Sequence, residues 1–142
     1  MIRELPGGYE LDDDPERVDI DAVHGYLSGE SYWAAGRPHA VVARLVREAA
    51  RVLGLYHEGR QAGFCRAVSD GVAIAYLADV YVLAEHRGRG LGLEMVREMV
   101  EGGSLAGVRW VLHTGDAHGL YRLVGFGDPS PRTMERLPGD HR

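Results

Sequence analysis

Val80-Tyr81-Val82-Leu83-Ala84-Glu85-His86-Arg87-Gly88-Arg89-Gly90-Leu91-Gly92 reads as a strand that runs into a glycine-rich turn, and the turn opens a helix. Upstream, residues 72–83 are rich in Val, Ile, Tyr and Ala and are apolar on both faces, which places the strand centrally in a sheet. Downstream, Met95, Val96, Met99 and Val100 fall at helical spacing, and Glu94, Arg97 and Glu98 take the opposite face. The helix is predicted to run to residue 101, where Gly102-Gly103 stops it.

Such a turn suits an anion. The first N–H groups of a helix have no partner within it, and the helix dipole favours negative charge there. Glycines let backbone approach a ligand because no Cβ intervenes. Arg87 and Arg89 add positive charge, so a pyrophosphate is a suitable guest. The spacing is not Gly-x-Gly-x-x-Gly, and no Gly-Lys-Ser/Thr follows, so two familiar nucleotide loops fit badly. Taken alone, the stretch is equally well read as a tight turn needing glycine for its geometry.

Working outward, residues 19–27 predict a helix with Asp19 as N-cap and with Ile20, Val23, Tyr26 and Leu27 on one face. Residues 29–38 read as a loop that carries Tyr32 and Trp33. Residues 40–51 predict a second helix with Val41, Val42, Leu45, Val46 and Ala49 inside. Strands are expected at 52–57 and 61–68, with turn signals at Glu58-Gly59-Arg60 and Ser69-Asp70-Gly71. A strand at 108–113, a short helix at 116–124 and a terminal strand at 132–137 complete the pattern. The tails, residues 1–8 and 138–142, are expected to be loose, and the acidic run Asp12-Asp13-Asp14 is expected to be a solvated turn. The element order implies a mixed α/β (α+β) fold.

A length of 142 residues suits one domain, spanning 1–142, and 45% hydrophobic residues suffice for a core. Net charge is −5 with no basic stretch, which argues against nucleic acid or an anionic membrane as partner. No run approaches the roughly 18 apolar residues of a membrane span, and the first ten residues lack a signal-peptide core. One cysteine, Cys65, leaves no internal disulfide, so a cytoplasmic setting is expected.

The turn also carries a resemblance. Arg87, Gly90 and Gly92 match the Arg/Gln-x-x-Gly-x-Gly/Ala pattern that the GNAT acetyltransferase superfamily places between its fourth strand and third helix. Leu120-Tyr121-Arg122-Leu123-Val124-Gly125-Phe126 resembles the same family's Leu-Tyr-x-x-x-Gly-Phe. The resemblance implies a mostly antiparallel central sheet, flanked by helices and splayed between its fourth and fifth strands. It implies acetyl-CoA as cosubstrate, no metal, an amine acceptor that is a small molecule or peptide, and a homodimer. It implies pyrophosphate binding by the backbone of Arg87, Gly88, Arg89, Gly90, Leu91 and Gly92. One departure is Thr114, at the position where many relatives carry an Asn that bonds the pantetheine arm. Threonine retains a hydroxyl donor and acceptor but not an amide's pattern.

Roles follow from the chemistry of acetyl transfer. The resemblance puts Tyr121 near the cofactor sulfur, and a phenol with a pKa of about 10 holds a proton to give to a leaving thiolate. It also implies that a backbone N–H near Tyr81 or Val82 holds the acetyl carbonyl. Asp79 is the only acid in the core of its strand, and apolar neighbours predict burial. It stands as base, amine binder or structural carboxylate. His113, Asp116 and His118 cluster too, but the resemblance implies no zinc, and Cys65 reads as a small core residue. Tyr32 and Trp33 are candidates to shape an acceptor pocket. A non-catalytic acyl-CoA sensor on the same fold is the alternative reading, and the acceptor's identity is not legible.

Overall fold

The computed structural model describes residues 2–139. Six strands form one sheet in the order β1 (Arg3–Leu5), β2 (Tyr9–Asp12), β3 (Arg51–His57), β4 (Arg60–Ser69), β5 (Ile74–Val82), β6 (Arg109–Leu112). Neighbours are antiparallel except β5 and β6, which are parallel. The mixed, mostly antiparallel sheet matches the expected fold class.

Helices cover both faces. On one side lie α1 (Ile20–Gly29) and α2 (His39–Glu48), with Val23, Leu27, Val42 and Val46 buried against Val52, Phe64 and Tyr81. On the other lie α3 (Leu91–Glu101) and α4 (His118–Arg122), with Met95, Val96, Met99 and Tyr121 packed on Leu53, Leu55, Cys65 and Leu77. The predicted stripe of α3 is its buried face. Asp19 caps α1 as predicted, its carboxylate accepting from the Ala22 N–H at 3.1 Å.

Several boundaries differ from the sequence reading, each for a tertiary reason. Residues 3–5 are a strand rather than loose tail, because β2 supplies the ladder and Arg3 donates to Glu94 of α3 at 2.7 Å. Asp12 is buried at the end of β2, accepting from the Asp14 N–H and from Arg17, so only Asp13 and Asp14 keep the exposed character expected of the run. Two strands therefore precede α1. Helix α2 stops at Glu48, since Arg51 is needed in β3, where its guanidinium caps the Glu98 and Gly102 carbonyls at the end of α3. Val41 is exposed rather than inside. Residues 132–137 form no strand; Glu135 instead reaches His113. The C-terminal tail expectation falls in part on residues 140–142, outside the described residues.

One irregularity of β5 shapes everything near it. Between the pairs Phe64↔Tyr81 and Arg66↔Ala78, Cys65 of β4 faces both Asp79 and Val80 of β5. This is a β-bulge, and Asp79 sits in it at φ +55°, an uncommon left-handed conformation for a non-glycine residue. The extra residue reverses the alternation of the strand. Leu77 packs toward α3 and α4, whereas Tyr81, four residues later, packs toward α1 and α2.

Candidate active site

The bulge and the splay of the sheet occur together. Strand β6 pairs with β5 from Ile74↔Arg109 to Leu77↔Leu112 and no further. Beyond Leu77, β5 continues through Tyr81 and Val82 without a strand on that side, leaving a wedge between the two parallel strands. Edge groups of β5 in this wedge have no ladder partner from β6.

At the far end of β5 the chain makes the glycine turn. Gly88 and Gly90 have φ of +81° and +75°, and a Cβ built on either would meet nothing within 4 Å. The turn is thus an open backbone cradle at the N-terminus of α3, and Gly88, Arg89 and Gly90 are exposed. Leu91 turns inward to the core, and Gly92 lies close to Val82 and Leu120, where a Cβ would make ordinary contact at 3.6–3.7 Å. Arg87 braces the turn: its Nε donates to the Val82 carbonyl at 2.8 Å and its terminal nitrogen donates to the Tyr26 hydroxyl at 3.0 Å. Tyr26 in turn stacks on Tyr81, centroids 4.0 Å apart. The motif's arginine therefore fixes the strand end and α1 relative to the cradle. Backbone N–H groups, which need only space, suit the pyrophosphate of a coenzyme A ester.

A cavity of about 460 Å³ opens beside the wedge, and Asp79, Thr114 and Tyr121 all line it. Tyr121 is one turn into α4 and buried, with Phe126 edge-on at 5.9 Å. Burial, with smaller contributions from Cys65, Asp116 and Tyr32, pushes its hydroxyl up to about 12. A phenol so placed keeps its proton throughout the neutral range. Thr114 turns its hydroxyl to the start of α4, accepting from the Ala117 N–H at 3.0 Å. Tyr81, Val82 and the glycine turn lie along the wedge rather than in this cavity, so the predicted residues form a track from cradle to cavity.

Asp79 is buried, as expected, but the residues around it are not the apolar ones that its sequence neighbours suggested. One oxygen accepts from Trp33 Nε1 at 2.9 Å. The other accepts from Arg66 Nε at 2.7 Å and from Arg37 at 3.0 Å. All three of these residues line the same cavity. Trp33 is thus a pocket residue, and Tyr32 accepts from the Gly115 N–H at 2.9 Å, tying its loop to the one before α4. The sequence reading missed Arg37 and Arg66. Arg66 left a signal, being the lone charge in the otherwise uncharged stretch from Gln61 to Val68; Arg37 left none.

The GNAT acetyltransferase family model matches residues 10–126. The chain belongs to the GNAT acetyltransferase family. A Gibberella zeae protein named "Putative acetyltransferase FG08082" is 31% identical, the match covering 68% of this chain and 66% of that protein. A crystal structure from Xanthomonas campestris, of a "putative acetyltransferase belonging to the gnat family", superposes with a TM-score of 0.86 at 38% identity, covering 92% of this chain and 93% of that one. A Deinococcus radiodurans structure shares the fold at 23% identity and a TM-score of 0.72, over 98% of this chain and 100% of its own. Among its described residues the GNAT chain assembles no group of three or more His, Cys, Asp or Glu side chains for a metal. His113 instead bonds Tyr76 at 2.6 Å and pairs with Glu135. No helix among the described residues is long and apolar enough to cross a membrane.

Proposed function

We propose that this GNAT protein transfers an acetyl group from acetyl-CoA to an amine acceptor, by direct attack with both substrates bound. The observation that carries the reading is the track just described: an open glycine cradle, an unpaired strand edge and a protonated, buried tyrosine in sequence along one wedge. Acetyl-CoA would supply the activated acetyl group as a thioester. The N–H groups of residues 88–92 hold its pyrophosphate, and Thr114 lies within the cavity to meet the pantetheine arm. A backbone N–H of β5 near Tyr81 or Val82 orients the acetyl carbonyl. Because the sheet fixes that donor, it does not reorganise during the reaction. The acceptor attacks as the neutral amine, the Tyr121 hydroxyl gives its proton to the departing sulfur as the carbon–sulfur bond breaks, and the proton shed by the acylated nitrogen restores the phenol. Asp79, held by three donors, acts as the anchor that positions Arg37, Arg66 and Trp33 around the acceptor, rather than as a base. A reducing, cytoplasmic setting accords with the lone buried thiol of Cys65.

Titration calorimetry with acetyl-CoA, followed by an amine-acceptor screen that reads free thiol release, tests the proposal. Micromolar binding and amine-dependent thiol release are expected. Absence of acetyl-CoA binding to the folded protein would refute it.

A further inference from the structure

One charged cluster in the cavity is unusual for a site that receives an amine. Arg37 and Arg66 share a single carboxylate, Asp79, so the trio carries one uncompensated positive charge. Arg66 is nine-tenths buried and the Asp79 side chain is 3% exposed, so little water screens that charge. The guanidiniums are also underused. Arg66 gives Asp79 only its Nε and Arg37 only one terminal nitrogen. The remaining nitrogens of both have no protein acceptor among the described residues, and both side chains line the cavity. Donors that are held rigidly, charged and without an acceptor are arranged for an anion.

We propose that the acceptor is an amino-carboxylate: a small molecule whose amine is acetylated and whose carboxylate is bound by Arg37 and Arg66. The inference rests on the acetyltransferase reading above and names the acceptor's class. One carboxylate cancels the one excess charge of the Arg37–Arg66–Asp79 cluster, whereas a phosphate monoester, with a charge of about −1.5 to −2, would overshoot it, the more so with Asp116 in the same lining. Trp33 Nε1 and Arg66 fix Asp79, Asp79 fixes the two guanidiniums, and the loop carrying Arg37 is tied down through Tyr32 and Gly115. The amine end of the proposed acceptor is assigned to Asp116 and Tyr121, which line the same cavity. Asp116 is close enough to Tyr121 for its charge to help keep that phenol protonated. An acceptor lying between these ends has its carboxylate on the arginines and its nitrogen beside Tyr121. The chain as a whole is acidic, with a net charge of −5, yet the Arg37–Arg66–Asp79 cluster is locally positive.

The test uses the full chain, acetyl-CoA and a matched panel: the common amino acids, their carboxamides and their decarboxylated amines. The acids are expected to exceed their carboxamides in kcat/KM by at least about tenfold, since a site built to bond a group rejects the analogue that lacks it. Arg37→Gln should collapse that acid-to-amide ratio at least about tenfold, mostly through KM, while acetyl-CoA affinity reports that the variant is folded. Arg37→Lys, which keeps the charge but not the fork, should recover only part of the ratio and serves if the glutamine variant does not fold. Turnover confined to carboxylate-free amines, no acid turned over, or an acid-to-amide ratio near one would overturn the acceptor assignment and leave the acetyltransferase reading standing. Failure of the parent protein to bind acetyl-CoA would overturn both.

Discussion

Gly90→Val separates a cradle from a mere turn. The glycine has φ +75°, where a β-branched residue costs about 1–2 kcal/mol. Its Cβ would meet no protein atom within 4 Å, so no clash adds to that cost. A melting temperature lower by about 3–8 °C is therefore expected, with the fold kept. The same open space is where a pyrophosphate must approach the N–H groups of α3, so the isopropyl group should weaken acetyl-CoA binding at least tenfold, about 1.4 kcal/mol. Gly71→Val is the matched control. It has φ +79° and equally open surroundings, but lies in the hairpin between β4 and β5. It should lose similar stability and no acetyl-CoA affinity. Calorimetric titration below both melting points reads the difference. Unchanged affinity in the folded Gly90 variant, or equal losses in both, would refute the cradle.

Three further outcomes are expected. Tyr121→Phe removes a hydroxyl and keeps the ring, so kcat should fall about 10²-fold with acetyl-CoA affinity nearly unchanged; normal kcat with chemistry rate-limiting would remove the hydroxyl from the reaction. Asp79→Asn leaves two guanidiniums around a neutral amide, and denaturant melts should show a loss of about 3 kcal/mol; parental stability would mean that the cluster is not held by charge. Burial pushes Tyr56, Tyr121 and Cys65 up to about 12, and Tyr81 higher still. The unfolded chain gives up these protons from about pH 9 to 10, so it binds fewer protons than the folded chain above that point. Stability is therefore full at neutral pH and falls as pH rises toward 12, and a melting temperature flat to pH 11 would contradict the burial of these groups.

The sequence by itself determined the parts whose physics is local. Glycines at 88, 90 and 92 between an apolar run and an amphipathic helix specify a strand, a turn and a helix start, because period, turn chemistry and capping act over a few residues. Tyr121 was singled out by the resemblance of its Leu-Tyr-x-x-x-Gly-Phe run to the family's, and the buried faces of α1 and α3 were legible from their spacing. Only the tertiary structure decided what depends on pairing across the sheet. Residues 3–5 became a strand because β2 was there to receive them, and residues 132–137 did not because no neighbour takes them up. The bulge at Asp79 is invisible in a run that alternates acceptably on both faces, since it arises from β4 offering one residue to two. That extra residue turns Asp79 toward Arg66 and Arg37, thirteen and forty-two positions away in the chain. A lone acid among apolar neighbours thus became a shared counter-ion, because the charges that define it come from another strand and a loop, and only folding sets their distance.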